Sequence, residues 1–293
     1  MNLIEAKNLS LSYGRKTAVD GVSFNIPKGR VVGLLGHNGA GKTSLMKALV
    51  GLMHASGGEV SVLGLSPVKQ RGQLLEQLCY IPDVAVLPRW ARAHELITLM
   101  SGLQPRFSAD RARQLLKRTS VGLNDKVKSL SKGMVVQLHL ALIAAIDAKL
   151  MILDEPTLGL DVMSRKGFYE LLLDEWCDGE RSVLISTHQV EEVESLLSDV
   201  LMLDEGKLVL NISLEDMDRR FVALNHDAAV ADQVAAAHPL LKYRVGPGAN
   251  GSAALFDGPM PEHLRALGKP MRPSLVDLFV ALTRKPELDR THF

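Results

Sequence analysis

Cysteine, net charge and long apolar runs are all scarce in this sequence, and each shortage excludes a class of protein. Its 293 residues include only two cysteines, Cys79 and Cys177. They lie far apart without a CxxC pair or a histidine cluster, so we expect neither a disulfide framework nor a zinc site. Thirty-four Lys and Arg stand against thirty-three Asp and Glu, a formal net charge of +1. With no excess of positive charge to neutralise a phosphate backbone, no nucleic acid is expected as a partner.

Signals for export and for membrane insertion are also missing. The longest apolar stretch, Leu140 to Ile146, is far shorter than the roughly 18 residues that a membrane-spanning helix requires. Near the start, Glu5 interrupts any basic-then-apolar layout of the kind found in secretory signals. We therefore expect a cytoplasmic protein that reaches a membrane only through a partner.

The composition and the apolar runs predict a globular protein of the α/β class. Hydrophobic residues make up 46% and charged residues 23% of the chain, which are ordinary globular values, and the length suits about two domains. Short runs that are apolar at nearly every position occur at 31–35, 150–153, 183–185 and 200–203. Such runs are typical of parallel strands covered on both faces. Segments of helical character lie between them, at 42–53, 132–148 and 167–176.

Three further regions are expected around this parallel sheet. Residues 1–27, together with the segment at 57–64, favour a small antiparallel β layer. An Arg- and Leu-rich stretch predicts an inserted helical lobe over about 84–145. Beyond the main domain at 1–210, residues 211–293 are predicted to form a small α+β accessory domain.

The loop at 36–43 is the first segment that carries chemistry. It fits the pattern G-x-x-x-x-G-K-[ST], directly after a predicted strand and before a helical run. Its glycines let backbone N–H groups surround phosphate oxygens, and the next helix points its positive end at them. A nucleoside triphosphate is the expected ligand, with Lys42 on the outer phosphates and Thr43 on Mg²⁺. The expected nucleotide contacts are Gly36, His37, Asn38, Gly39, Ala40, Gly41, Lys42, Thr43 and Ser44.

Two adjacent acids end the apolar run at 150–153. At the carboxyl end of a strand beside the phosphate loop, Asp154 could orient Mg²⁺ through its water shell. Glu155 could accept a proton from the water that attacks the γ-phosphate. We therefore predict a metal role for Asp154 and a catalytic role for Glu155.

Two more elements complete the pattern. Ser131 can cap the helix that follows it, and with Gly133 it forms a second anion site at a helix N-terminus, distinct from the phosphate loop. His188 ends the strand at 183–185, from where it would reach the γ-phosphate. Taken alone, either residue would more often be structural.

In this order, the four elements resemble the ATP-binding subunit of ABC transporters over residues 3–210. The resemblance implies ATP and Mg²⁺ as the bound groups and ATP hydrolysis as the reaction. It makes residues 130–134 the signature motif and His188 the switch histidine that senses the γ-phosphate. It also implies that Tyr13 stacks on adenine and that residues 159–161 form the dimer-contact loop.

The same resemblance implies a homodimer of two copies facing head to tail. Each ATP would lie between the phosphate loop of one copy and Ser131 and Gly133 of the other, and hydrolysis by Glu155 would release the pair. The cycle of closing and opening would drive transmembrane permease subunits. The expected location is therefore the cytoplasmic face of the cell membrane.

The sequence departs from the family pattern at Asp83, in the signature motif and beside the phosphate loop, where His37 and Ser44 vary without removing a necessary phosphate contact. Asp83 stands where the family usually has glutamine; a carboxylate there could still bind Mg²⁺ or accept a hydrogen bond from its water, which makes Asp83 a catalytic and metal candidate. In the signature motif, Lys132 adds a positive charge and Met134 removes an amide.

A single nucleotide-binding unit followed by the tail at 272–283 resembles the ABC-2-type exporters, whose permease is a separate protein. An amphipathic helix packing on its own domain explains that tail equally well. The alternative function is a soluble ABC ATPase acting on ribosomes or DNA. Those relatives usually carry two nucleotide units or long coiled coils, whereas this chain has one phosphate loop and no long heptad array, so the exporter is favoured. A P-loop kinase or GTPase would leave Ser131 and His188 unexplained.

Overall fold

The computed structural model describes residues 2–82, 87–176, 179–244, 251–260 and 262–283. The strands in these ranges are β1 (Asn2–Tyr13), β2 (Lys16–Pro27), β3 (Val31–Leu35), β4 (Gly57–Val62), β5 (Leu78–Ile81), β6 (Leu150–Asp154), β7 (Ser182–Thr187), β8 (Asp199–Asp204), β9 (Lys207–Ser213), β10 (Phe221–Asp227), β11 (Leu241–Arg244), β12 (Gly251–Asp257) and β13 (Gly268–Met271). The α-helices in the same ranges are α1 (Lys42–Leu49), α2 (Arg71–Leu75), α3 (Ala93–Leu103), α4 (Ala109–Leu116), α5 (Lys132–Ala144), α6 (Val162–Trp176), α7 (Val190–Val193), α8 (Leu214–Arg220), α9 (Ala231–Ala235), α10 (Glu262–Arg265) and α11 (Leu275–Thr283).

A six-stranded sheet forms the centre of the main domain, in the order β5-β6-β7-β3-β8-β9. Its first five strands are parallel, and β9 pairs antiparallel with β8 at the edge. The parallel strands place their carboxyl ends on one edge of the sheet, where ligands bind in open α/β folds. The phosphate loop and His188 follow strands at that edge, and Asp154 is the last residue of β6.

The central strands are apolar at almost every position because both faces of the sheet are covered. Side chains alternate along each strand, so Met151 and Leu153 face the core under the helical lobe. Leu150 and Ile152 face the opposite core, beneath α1 and the amino-terminal strands. The α/β class with a parallel sheet is therefore confirmed.

The predicted antiparallel layer is present as the three-stranded sheet β2-β1-β4. Ile4, Leu9 and Leu11 of β1 are completely buried and pack in the same core as Leu45 and Leu49 of α1. This packing fixes β1 and β2, and with them Tyr13, beside the phosphate loop.

Local signals explain where several helices begin and end. Ser108 and Ser213 cap α4 and α8, each accepting a hydrogen bond from the backbone N–H three residues on. Helix α1 ends before the predicted residue 53 because Gly51, at φ 72°, turns the chain into the left-handed region. Helix α6 begins before the predicted residue 167 because Asp161 accepts the N–H of Ser164 at 2.9 Å.

Helices α3, α4 and α5 occupy the stretch predicted as a helical lobe. Two arginines hold this lobe to α6: Arg111 pairs with Glu175 at 3.0 Å, and Arg118 pairs with Asp174 at 2.6 Å. The limits of about 84 and 145 for the lobe stay a prediction.

The carboxyl-terminal part contains the antiparallel sheet β11-β12-β10-β13. One face of this sheet packs with Leu275 and Leu278 of α11 as part of the large core. The other face buries Leu224 and Phe256 against Val234 of α9 and Leu264 of α10. The mixture of strands and short helices is the α+β arrangement expected there. Strand β9 runs through residue 210, so the expected boundary between 1–210 and 211–293 stays a prediction.

Among the residues with described positions, no helix combines the length and apolarity needed to cross a membrane.

Candidate nucleotide-binding site

The phosphate loop leaves β3 at Leu35 and enters α1 at Lys42. Gly39 and Gly41 have φ angles of 88° and 109°, a backbone region that side chains rarely adopt. Gly36 lies so close to the main chain that an added Cβ would come within 2.6 Å of the Leu203 carbonyl oxygen. The positions that the motif reserves for glycine therefore need glycine for reasons visible in the fold.

The side chain of Lys42 is buried, with only 6% of it exposed. Its Nζ donates to the carbonyl oxygen of Gly36 at 2.6 Å and lies 3.2 Å from Oε1 of Glu155. A buried ammonium needs such partners because its desolvation is costly. Lys42 thus stands between the phosphate loop and the acidic end of β6.

The two acids at the end of β6 are held by a serine of the neighbouring strand. Ser186 Oγ donates to Oδ1 of Asp154 at 2.7 Å and accepts the backbone N–H of Glu155 at 2.9 Å. Glu155 has a φ of 46°, which turns its side chain away from the line of the strand. Asp154 is fully buried, and its Oδ2 has no hydrogen-bond partner among the described residues.

Glu155 also contacts the predicted switch histidine. Oε2 of Glu155 lies 2.8 Å from Nδ1 of His188, while Oε1 faces Lys42. The structure therefore brings three predicted catalytic residues, Lys42, Glu155 and His188, into direct contact. A carboxylate held between a lysine and a histidine can accept a proton from a substrate water within its reach.

These residues border a cavity of about 670 Å³, a size suited to a small-molecule ligand. Tyr13, half exposed, forms one wall, and its hydroxyl accepts a hydrogen bond from Ser44 Oγ at 3.5 Å. The predicted residues that line the cavity are Tyr13, His37, Asn38, Gly39, Gly41, Lys42, Thr43, Ser44, Glu155 and His188. Gly36, Ala40 and Asp154 belong to the same loop and strand end.

Several cavity residues were not predicted from the sequence. Lys16, Thr17 and Ala18 come from the turn into β2, and Glu205 and Gly206 come from the turn after β8. His37 reaches that second region, since its Nε2 lies 2.8 Å from Oδ1 of Asp204. No motif marks these positions, and the signal that the sequence offers is limited to a lysine and small residues shortly after Gly14.

Ser131 and Gly133 do not line this cavity. Ser131 caps α5, with its Oγ accepting the N–H of Met134 at 3.2 Å, and both Ser131 and Lys132 are exposed. Gly133 is buried against Ser164 at the start of α6. Within one chain, the second anion site and the phosphate loop are thus separate. Asp83 lies outside the described residues, and its expected role stays a prediction.

The segment after Glu155 is anchored on α6. Thr157 Oγ1 and the hydroxyl of Tyr169 lie 3.1 Å apart, and burial raises the pKa of Tyr169 to about 12, so this phenol stays neutral. Further along, hydrogen bonds from Ser164 lower the pKa of Asp161. Asp161 therefore stays ionised as the cap of α6, next to the predicted dimer-contact loop.

Comparison with known proteins agrees with this geometry. A family model described as "ABC transporter" matches residues 19–158. The lantibiotic transport ATP-binding protein SrtF of Streptococcus pyogenes is 32% identical over 214 residues, covering 71% of this chain and 90% of its own. The Nod factor export ATP-binding protein I of Burkholderia orbicola is 35% identical, covering 70% of this chain and 69% of its own.

Solved structures extend the likeness to the fold. One described as the ATP-binding subunit of an ABC transporter superposes with a TM-score of 0.67 at 28% identity, covering 74% of this chain and 92% of its own. A nucleotide-free ATP-binding cassette superposes with a TM-score of 0.64 at 18% identity, which supports the fold alone. Motifs, geometry and relatives all agree, and this chain belongs to the ATP-binding proteins of the ABC transporter family, which bind and hydrolyse ATP in transport.

Proposed function

We propose that this chain drives export through a separate membrane permease, working as a head-to-tail homodimer that closes on ATP. The contact of Glu155 with both Lys42 and His188 is the observation that carries the proposal. The relatives named for lantibiotic transport, linearmycin resistance and Nod factor export support an exporter. They disfavour the alternative of a soluble ATPase on ribosomes or DNA.

Binding would begin at the phosphate loop. Its backbone N–H groups and the N-terminus of α1 attract the phosphates, and Tyr13 offers a ring for the adenine. The γ-phosphate would draw Lys42 away from Glu155, because the phosphate carries more negative charge than a carboxylate. Glu155 would then be free to act on water.

Hydrolysis would follow from that exchange of partners. A water oxygen attacks the γ-phosphorus, its proton passes to Glu155, and the bond to the β-phosphate oxygen breaks. Lys42 would stabilise the charge that develops on the phosphate oxygens. His188 would hold Glu155 in place and contact the γ-phosphate, so the turn at 187–189 would sense whether ATP or ADP is bound.

The residues present fit a magnesium ion. Oδ2 of Asp154, buried and without a partner among the described residues, and the exposed side chain of Thr43 at the cavity are the hard oxygen donors that Mg²⁺ prefers. Thr43 and Asp154, with Asp83 as predicted, would hold it. When bound, the ion would neutralise phosphate charge.

The surface next to the cavity supports the dimer. Leu158, Val162 and Met163 expose 53%, 77% and 76% of their surface around the dimer-contact loop. Such grouped apolar exposure is typical of a protein interface. A second copy placed there would bring Ser131 and Gly133 to the γ-phosphate, which one chain cannot do for itself. The dimer would sit at the cytoplasmic face of the membrane, where the permease binds it.

Replacing Glu155 tests the proposal most simply. Glu155→Gln should keep ATP affinity and lower kcat at least about 100-fold, because an amide cannot accept the proton. A dimer should then accumulate with ATP and Mg²⁺ and be visible by size-exclusion chromatography with light scattering. Glu191→Gln, an exposed acid three residues after His188, is the matched control and should behave as wild type. Undiminished hydrolysis by Glu155→Gln would remove this residue from the role of base.

A further inference from the structure

Three segments meet at the first turn of α6, and each has a different role in the proposed function. They are the start of the signature helix α5, the dimer-contact loop at 159–161, and the turn after His188. Ser164 and Arg165 stand between them, and no motif in the sequence marks either residue. We call this pair the α6 junction.

Ser164 connects the junction to the signature helix. Its Oγ donates to Oδ2 of Asp161 at 2.7 Å, and its N–H donates to Oδ1 of the same carboxylate at 2.9 Å. A Cβ on Gly133 would collide with Ser164 Oγ. The start of α5 therefore rests directly on the serine that the dimer-contact loop orients.

Arg165 connects the junction to the histidine turn. Its Nε donates to the carbonyl oxygen of Leu160 at 2.8 Å, and its Nη1 donates to Oε1 of Gln189 at 3.0 Å. The same Nη1 forms an ion pair with Glu192 of α7. The side chain is 21% exposed, so these bonds are partly shielded from water. One planar guanidinium thus spans the dimer-contact loop and the residue that follows His188.

We propose that Arg165 is a positioning residue that transmits the state of the γ-phosphate from His188 to the dimer-contact loop. The proposal rests on the proposed function, because it uses the assigned roles of His188 and of the dimer. A shift of the turn at 187–189 pulls on Arg165, and through Nε it moves the Leu160 carbonyl. With Ser164 against Gly133, the same movement reaches the signature helix. Each chain would thereby link the ATP on its own phosphate loop to the ATP it caps on its partner.

Steady-state kinetics separates this role from a merely structural one. Arg165→Met removes all three donations. Lys166→Met is the matched control, since Lys166 is exposed on the same helix and pairs with Glu170 of that helix at 3.8 Å. We expect Arg165→Met to lower kcat about tenfold or more while ATP affinity of the single chain stays within about twofold of wild type. Arg165→Lys keeps the charge, but one ammonium cannot reach both Leu160 and Gln189. It should therefore lose at least about threefold in kcat, and it carries the test if the Met variant fails to fold.

Hydrogen exchange tests the same link without any turnover. In Arg165→Met, peptides covering 158–161 and 187–190 should both lose protection relative to Lys166→Met, because the shared anchor is gone. If wild type showed no ATPase activity, the proposed function would fail. The exchange measurement would still test whether Arg165 connects the histidine turn to the dimer-contact loop. Wild-type kcat in both Arg165 variants, or loss of protection confined to one of the two peptides, would overturn the inference.

Discussion

Two surfaces of this chain differ in how many of their contacts are already formed. We call them the cavity face, which carries Lys42, Glu155 and His188, and the signature face, which carries residues 130–134. In the cavity, Glu155 already contacts both Lys42 and His188, and Ser186 holds both acids. On the signature face, Ser131 and Lys132 are exposed, and Ser131 bonds only to its own helix among the described residues. The cavity face is therefore preformed, and under the proposed function the signature face is the surface that would receive a second chain. Under the proposed function, such a chain would bind ATP alone and would need a second copy to complete the reaction.

A charge placed among the exposed apolar residues Leu158, Val162 and Met163 should weaken the ATP-induced dimer and leave the cavity intact. In the Glu155→Gln background, Met163→Glu should weaken the ATP-induced dimer roughly 10- to 100-fold, because a buried unpaired carboxylate opposes association. ATP binding to the single chain should not change. Analytical ultracentrifugation with and without ATP measures both states.

Leu103→Glu supplies the control for that experiment. Leu103 is 70% exposed, similar to Met163 at 76%, but it ends α3 in the helical lobe. In the Glu155→Gln background, Leu103→Glu should dimerise as the Glu155→Gln chain alone does. Equal dimerisation by the Met163 and Leu103 variants would place the interface elsewhere.

The two faces also differ in how far the sequence predicts them. The phosphate loop, the acids of β6 and His188 are recognisable because each follows an apolar strand, and parallel strands bring their carboxyl ends to one edge. Ser186 and Arg165 give no such signal, since Ser186 meets Asp154 and Arg165 meets Gln189 only because the fold brings these distant residues close. The fold class follows from the apolar runs, whereas the order of the carboxyl-terminal strands depends on long-range pairing that no local pattern specifies.

A smaller effect concerns α5, which begins within the signature motif. Burial lowers the pKa of His139 to about 4, so its ring stays neutral in the folded state while the unfolded chain takes up a proton near pH 6.5. Lowering the pH from about 6.5 towards 4 should therefore cost stability, by about 1.4 kcal/mol per unit at most and roughly 2 kcal/mol at pH 5.

His139→Gln removes that titration, so its free energy of unfolding should depend less on pH than that of wild type. Urea unfolding at pH 7.5, 6 and 5 gives the difference. His94→Gln, an exposed histidine of α3, should follow wild type. If the free energies of unfolding of wild type and His139→Gln changed equally with pH, burial would not lower the pKa of His139 as described.

Complementation between two inactive chains tests the central claim, that each ATP is held by both faces. Lys42→Ala damages only the cavity face and Ser131→Ala only the signature face, so their heterodimer keeps one intact site. Mixing them in equal amounts should recover about a quarter of wild-type ATPase activity, since half of the dimers are mixed and each has one site of two. Lys42→Ala mixed with Glu155→Gln, where both lesions lie on the cavity face, should recover none. Recovery in neither mixture, or equal recovery in both, would contradict a site shared between two chains.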